Sequence, residues 1–136
     1  MKIMIICSKH FYKQIPEIKE DLEKMGHKVK LPNSYDKPFE EIEIKNLSKE
    51  EHIQWKSEMM RKDEKNIQPQ DAVLVLNFEK NKIPNYIGGA TFLEVYMAWR
   101  LNKKIFFFNP LPKCSFTDEL IGINPKIING YLELVK

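Results

Sequence analysis

The chain has 136 residues, of which 43% are hydrophobic and 30% are charged, a composition that suits one globular domain with a single core. Its net charge is only +3 and its lysines are scattered among acidic residues, which argues against a nucleic-acid polymer as partner. Cys7 and Cys114 have neither metal-site spacing nor a disulfide framework, and no segment approaches the roughly 18 apolar residues of a membrane helix. We therefore expect one reduced, cytoplasmic domain over residues 1–136 that has no membrane partner.

The first part of the chain alternates between strand and helix patterns. Residues 3–7 form a continuous apolar run, as in a strand that is covered on both faces. Apolar residues then recur at helical spacing from Ile15, and Gly26 is a natural C-terminal stop for this helix. Residues 28–31 alternate in polarity and predict a short second strand. Residues 33–47 lack a clear period and are interpreted as a loop.

The middle of the chain contains the strongest strand and the most apolar helix. Ser48 and Glu51 have the spacing of a capping box, which predicts the start of a polar helix. Residues 71–77 predict a central strand, and two glycines then lead into an apolar helix over about residues 90–101.

Four weaker patterns complete the chain. They predict a strand, a short helix, a last strand and a terminal helix at residues 104–108, 117–120, 126–128 and 131–135. Because strands alternate with helices throughout, we expect an α/β protein with a doubly wound, mostly parallel sheet.

Ligands of open parallel sheets bind beyond the carboxyl ends of the strands, which selects four loops of this chain. Their leading polar residues are Ser8 and His10, Asn33, Asn77, and Asn109. The third loop is the richest, because Gly88 and Gly89 precede a helix and let backbone amides approach an anion. A tight turn explains the two glycines equally well.

Glu94 is the only charged residue between Lys82 and Arg100, and it lies in the apolar helix that follows the central strand. A carboxylate in such surroundings is costly to bury unless it is paired or used. Thr91 and Glu94 have capping-box spacing, so the glutamate can be a helix cap. Alternatively it is an active-site nucleophile, which the positive end of the helix dipole keeps ionised.

Several stretches of the sequence resemble the nucleoside 2-deoxyribosyltransferase-like superfamily, and together they span nearly the whole chain. The stretches that carry the resemblance are residues 71–77, 86–94, Ala98 and 102–105. The opening strand with Ser8, the helix that ends at Gly26 and the strand at Val29 also fit the family. The resemblance implies a flavodoxin-like fold with a five-stranded sheet and a homodimer or higher homo-oligomer. It also implies cleavage or transfer of the N-glycosidic bond of a (deoxy)nucleoside or its 5′-monophosphate. Glu94 would form a glycosyl-enzyme, without a metal or cofactor.

The resemblance also assigns roles around Glu94. Residues in position to bind a 5′-phosphate are Thr91, Gly88, Gly89 and Ser8. Asp71 matches an acidic position near the base, although a turn residue at the start of a strand is an equally good interpretation. Tyr86 can orient the Glu94 carboxylate, and His10 can bind phosphate or protonate the base, or simply be solvated. Asn77 and Asn109 are further candidates for substrate binding.

The sequence departs from the family pattern in one respect that matters for the chemistry. Relatives that transfer a base often carry an aspartate shortly before the glutamate, whereas residues 85–88 here contain no acid. This favours hydrolysis over transfer. We interpret Trp55 and Met59 as helix packing, and residues 61–65 as a solvated helix face that could alternatively reach a partner's site. The alternatives for the whole chain are a non-catalytic nucleotide-binding module and an interaction domain that uses the polar helix.

Overall fold

A computed structural model describes residues 1–37 and 46–136. Within them five strands form one parallel sheet in the order β2-β1-β3-β4-β5. The strands are β1 (Lys2–Ile6), β2 (Lys28–Lys30), β3 (Ala72–Val75), β4 (Lys104–Phe107) and β5 (Lys126–Ile127). This strand order is that of flavodoxin-like, doubly wound sheets. The predicted α/β class and parallel five-stranded sheet are confirmed.

Within the described residues, four α-helices connect the strands. They are α1 (Ile15–Lys24), α2 (Lys49–Ile67), α3 (Gly89–Arg100) and α4 (Thr117–Ile123). The predicted terminal helix over residues 131–135 is wrong, because only a 3-10 turn (Leu132–Leu134) forms there. So short a segment cannot offset the cost of helix nucleation by its own hydrogen bonds. Part of the predicted loop over residues 33–47 lies outside the described residues.

The sheet is buried on both faces. Successive side chains of a strand point to opposite faces of the sheet. Ile3 and Ile5 therefore pack in one core with Leu22 of α1, while Met4 and Ile6 pack in a second core against the helices on the other face of the sheet. The four apolar side chains of β1, those of residues 3–6, are fully buried, whereas Lys2 is exposed. This accounts for the continuous apolar run that the sequence shows in place of an alternating one.

Local signals set the helix boundaries. The Ser48 hydroxyl accepts a hydrogen bond from the Glu51 amide at 3.2 Å, and the Glu51 carboxylate accepts one from the Ser48 amide at 3.3 Å. The predicted capping box is therefore confirmed, and it starts α2. Gly26 follows α1 with a φ of +91°, a left-handed conformation that favours glycine. Within the described parts of the chain, no helix is both long and apolar enough to cross a membrane.

Candidate active site

A cleft of about 960 Å³ opens at the carboxyl edge of the sheet. The segments after β1 and β2, the inner face of α2 and the start of α3 form its walls. The lining includes Cys7, Ser8, His10, Asn33, Trp55, Lys56, Met59, Asp63, Lys80, Gly88, Gly89, Thr91 and Glu94. Three of the four predicted loops contribute to this cleft, and the loop that begins at Asn109 does not.

Glu94 projects into the cleft from the second turn of α3. The helix begins at Gly89 with Gly88 as its N-cap, so Thr91 is already the third helical residue. A capping box needs Thr91 at the N-cap, and the cap interpretation of Glu94 is therefore wrong. The side chain is buried, with 8% of its surface exposed. The Glu94 carboxyl group therefore lies in the cleft and does not cap α3.

Burial raises the pKa of the Glu94 carboxyl well above its ordinary value. The negative charge of Asp63 raises this pKa further, whereas the ammonium group of Lys56 opposes the effect. The prediction that the helix N-terminus keeps Glu94 ionised is wrong, because the influence of the dipole fades beyond the first turn. In the resting protein Glu94 therefore holds a proton more firmly than a solvated glutamate does.

Asp63 of α2 supplies a second carboxylate to the cleft. Its Oδ1 atom accepts a hydrogen bond from Asn33 Nδ2 at 3.0 Å. Burial raises the pKa of Asp63, while the Asn33 hydrogen bond and the nearby Lys56 and Lys62 ammonium groups act in the opposite direction. The prediction that residues 61–65 form a solvated face is therefore wrong for Asp63. Its partly buried carboxylate and that of Glu94 interact electrostatically across the cleft.

The cleft wall that α2 and the segment after β2 form beside Asp63 carries two polar atoms that lack partners among the described residues. Trp55, Met59 and Asp63 recur every four residues on one face of this helix, and Asn33 Nδ2 also lies 3.8 Å from Met59 Sδ. Among the described residues, Asn33 Oδ1 and Trp55 Nε1 are buried without a hydrogen-bond partner. Trp55 and Met59 thus do more than pack α2, because they line the cleft next to the carboxylates.

The start of α3 forms the opposite wall. Among the described residues no side chain caps its first turn, so Gly89 and the following residues line the cleft with amides that lack an N-cap acceptor. A Cβ atom at Gly88 would lie 3.3 Å from the Tyr86 hydroxyl, whereas one at Gly89 would meet nothing. Ser8 lies across the cleft, where its hydroxyl accepts a hydrogen bond from the His10 amide at 3.3 Å. The structure thus brings together most of the predicted phosphate-binding residues.

Tyr86 lies beside this turn rather than on the glutamate. Lys80 Nζ is 4.7 Å from the centre of the Tyr86 ring, a cation–π contact. Within the described ranges no hydrogen bond joins Tyr86 to Glu94. The structure therefore does not show the predicted orienting role of Tyr86.

Asp71 lies at the opposite edge of the sheet. It precedes β3, and its Oδ2 atom accepts a hydrogen bond from the Lys2 amide at 2.7 Å. Because the cleft lies at the carboxyl ends of the strands, this position contradicts the predicted catalytic role. The interpretation as a residue at the start of a strand accounts for Asp71.

Asn77 and Asn109 bind each other's loops instead of lining the cleft. Asn77 Nδ2 donates to the carbonyl oxygens of Asn109 and Pro110 at 3.1 and 2.9 Å, and Asn77 Oδ1 accepts from the Asn109 amide at 2.9 Å. Asn109 Nδ2 returns a hydrogen bond to the Asn77 carbonyl at 3.0 Å. With these groups occupied, the prediction that both residues bind substrate is contradicted. They fix the ends of β3 and β4.

Cys7 follows β1 and contributes a buried thiol to the floor of the cleft. Burial, assisted by the negative charge of Glu94, raises the pKa of this thiol to about 12. Cys7 therefore stays protonated at physiological pH and presents a small neutral surface beside the glutamate.

The fold and the cleft define a flavodoxin-like α/β protein with a pair of carboxylates at the carboxyl edge of its sheet. A 2-deoxyribosyltransferase from Bacillus psychrosaccharolyticus shares this fold with a TM-score of 0.57 and 15% identity, over 84% of this chain and 76% of that one. The CMP N-glycosidase BcmB from Clostridium botulinum does so with a TM-score of 0.54 and 16% identity, over 99% of this chain and 98% of that one. The fold expected from the resemblance is thus confirmed. No family model and no curated protein matches the sequence.

Proposed function

We propose that this chain breaks or transfers the N-glycosidic bond of a (deoxy)nucleoside or its 5′-monophosphate, with Glu94 as the nucleophile. The observation that carries the proposal is a pair of carboxyl groups, those of buried Glu94 and partly buried Asp63, which interact within one cleft at the edge of the sheet where ligands bind. The fold shared with a 2-deoxyribosyltransferase and a CMP N-glycosidase supports the same chemistry.

The pair carries one proton and one negative charge into the reaction, because two neighbouring buried carboxylates do not both ionise readily. We place this proton on Glu94 at rest, since burial raises the pKa of its carboxyl well above the ordinary value. Moving this proton to Asp63 frees the Glu94 carboxylate to attack the anomeric carbon, while Asp63 protonates the departing base. The step forms a glycosyl ester on Glu94, breaks the C–N bond and leaves the negative charge on Asp63. Asp63 thus takes the role of the acid that the sequence lacks before the glutamate.

Water or a second base then completes the reaction. Attack of water on the glycosyl ester releases the free sugar, and attack of another base gives a new nucleoside. Asp63, now ionised, accepts the proton of the incoming nucleophile. The site as described accommodates either course.

The charges around the cleft favour a phosphorylated substrate. Basic side chains line it on several sides, namely His10, Lys13, Lys56 and Lys80. The uncapped first turn of α3 adds backbone amides at the positive end of a helix dipole. We therefore expect the 5′-phosphate to bind to Gly88, Gly89 and Thr91, with Ser8 on the facing wall.

The test is to incubate the protein with deoxynucleosides, ribonucleosides and their 5′-monophosphates and to measure released base by chromatography. We expect release from at least one monophosphate, and a loss of at least about 100-fold in Glu94→Ala and Asp63→Asn. Glu79→Gln is a matched control, because Glu79 is an exposed acid outside the cleft lining. If no substrate releases base, or if Glu94→Ala releases it at the wild-type rate, the proposal is wrong.

The raised pKa of Glu94 favours one alternative, a nucleotide-binding module without turnover. A protonated Glu94 can donate a hydrogen bond to a ribose hydroxyl or to the base. This alternative predicts nucleotide affinity that Glu94→Gln preserves, together with no released base from the wild-type chain.

We also propose that the chain forms a homodimer through the outer side of α3. An apolar groove of about 490 Å³ lies there, lined by side chains that include Phe92, Leu93, Tyr96, Trp99 and Ile123. Exposed aromatic clusters of this kind are typical of protein interfaces. Analytical ultracentrifugation of the wild-type and Trp99→Glu proteins tests the assignment, since a wild-type monomer contradicts it. The cytoplasmic location stays a prediction.

A further inference from the structure

Lys56 occupies an unusual place among the cleft residues. It is half-buried and lines the same cavity as Asp63 and Glu94. Asp63 lies about two turns further along α2, on the same side of the helix. The Lys56 ammonium is 5.6 Å from the centre of the Trp55 ring, so its position is defined by the helix that also carries Asp63.

Lys56 acts on both carboxylates without a direct contact. Its positive charge lowers the pKa of Glu94 and that of Asp63. Among the described residues, no ion pair within 4.0 Å ties Lys56 to either one. A lysine in a direct ion pair with one carboxylate would neutralise that group. A lysine that interacts with both carboxylates at longer range stabilises the negative charge on whichever of them carries it.

The other charged groups near the pair come from each element that surrounds it. Asp63 and Glu94 face each other from α2 and α3, and β1 contributes the neutral thiol of Cys7. Exposed Lys62, which precedes Asp63 on α2, also acts on Asp63. The remaining basic residues in the lining of the cleft are Lys9, His10, Lys13 and Lys80. Of these cations, Lys56 is the one that acts on Glu94.

We propose that Lys56 is a positioning residue that stabilises the single negative charge of the Asp63–Glu94 pair and allows this charge to pass from Asp63 to Glu94. Its catalytic part rests on the proposed function, since the charge must move to Glu94 before that residue can attack. Among the described residues, Lys56 is the cation that acts on both buried Glu94 and partly buried Asp63. Without Lys56 the pair would stay protonated to higher pH, and the nucleophile would form less readily.

Titration of the carboxyl carbons of Glu94 and Asp63 by ¹³C NMR tests the proposal without requiring turnover. In Lys56→Met, which keeps most of the side chain and removes its charge, we expect the midpoint for ionisation of the pair to rise by about one pH unit. Lys56→Gln gives the same readout should Lys56→Met fold poorly. Lys56→Arg restores the wild-type midpoint. Lys65→Met is the matched control, because Lys65 is an exposed lysine of α2 outside the cleft lining, and it leaves both midpoints unchanged.

Turnover adds a second readout. In an active enzyme, Lys56→Met moves the acidic limb of the pH profile of kcat to higher pH by the same amount as the midpoint. On this limb kcat therefore falls about tenfold. If the midpoints of both carboxyls are unchanged in Lys56→Met, the proposal is wrong. This holds even if KM for monophosphates rises, because a higher KM with unchanged midpoints would mean that Lys56 binds the phosphate instead. Shifted midpoints in a chain that cleaves no substrate overturn only the proposed function.

Discussion

Asn77 allows a quantitative test of how the carboxyl edge of the sheet is held. Its side chain is fully buried and makes three hydrogen bonds of 2.9 to 3.1 Å to the backbone of Asn109 and Pro110. Asn77→Ala removes all three and leaves their backbone partners unpaired. At about 1 kcal/mol net for each bond, the free energy of unfolding falls by about 3 kcal/mol. Urea denaturation followed by tryptophan fluorescence measures this loss. In thermal unfolding the same loss lowers Tm by about 10 °C.

Asn109→Ala is the matched control for this experiment. It removes a single side-chain hydrogen bond, from Asn109 Nδ2 to the Asn77 carbonyl, and we expect a loss of about 1 kcal/mol. Neither residue lines the cleft, so both variants keep the nucleotide affinity of the wild type at a temperature where they are folded. An Asn77→Ala protein destabilised no more than Asn109→Ala would refute the reasoning.

Three further predictions concern single groups. Iodoacetamide at pH 8 labels exposed Cys114 and spares Cys7, because burial raises the pKa of the Cys7 thiol to about 12. Intact mass spectrometry of the folded chain therefore shows one adduct. Two adducts contradict the burial of Cys7. Because the folded state raises the pKa of Glu94, its protonated form stabilises the fold below the ordinary value of 4.5, and this stability is lost as pH rises through the folded-state pKa. Glu94→Gln therefore unfolds at higher urea concentration than the wild type at pH 8 but not at pH 4, and equal midpoints at both pH values would count against the assigned shift. Ser48→Ala loses the capping box of α2 and about 1 kcal/mol of stability in urea, whereas Ser115→Ala, at an exposed position, changes it little.

Elements whose signal lies in neighbouring residues are predictable from this sequence. The apolar run of β1 shows its burial directly, and the Ser48–Glu51 spacing shows the start of α2. The end of α3 was likewise predicted to within a residue. The C-terminal segment was not, because the pattern over residues 131–135 is too short to separate a helix from the 3-10 turn that packing of Leu132 selects.

The candidate site is only partly readable from the sequence for the same reason. Glu94 and the glycines are close together in the chain, and their pattern indicates the end of a strand. Asp63 is far from them in the sequence and joins them only because α2 packs against α3. Asp71 precedes a strand rather than following it, so chain direction alone could have excluded it from the carboxyl edge. The charge state of Glu94 depends on Asp63 and Lys56, which lie on another helix.

The claim that Glu94 is a nucleophile is tested most directly by mass spectrometry of the protein quenched in acid during turnover of a cleaved monophosphate. The account predicts a sugar-phosphate adduct on the peptide that contains Glu94, and no adduct in Glu94→Gln. Release of base without any adduct, at an undiminished rate in Glu94→Gln, would contradict it.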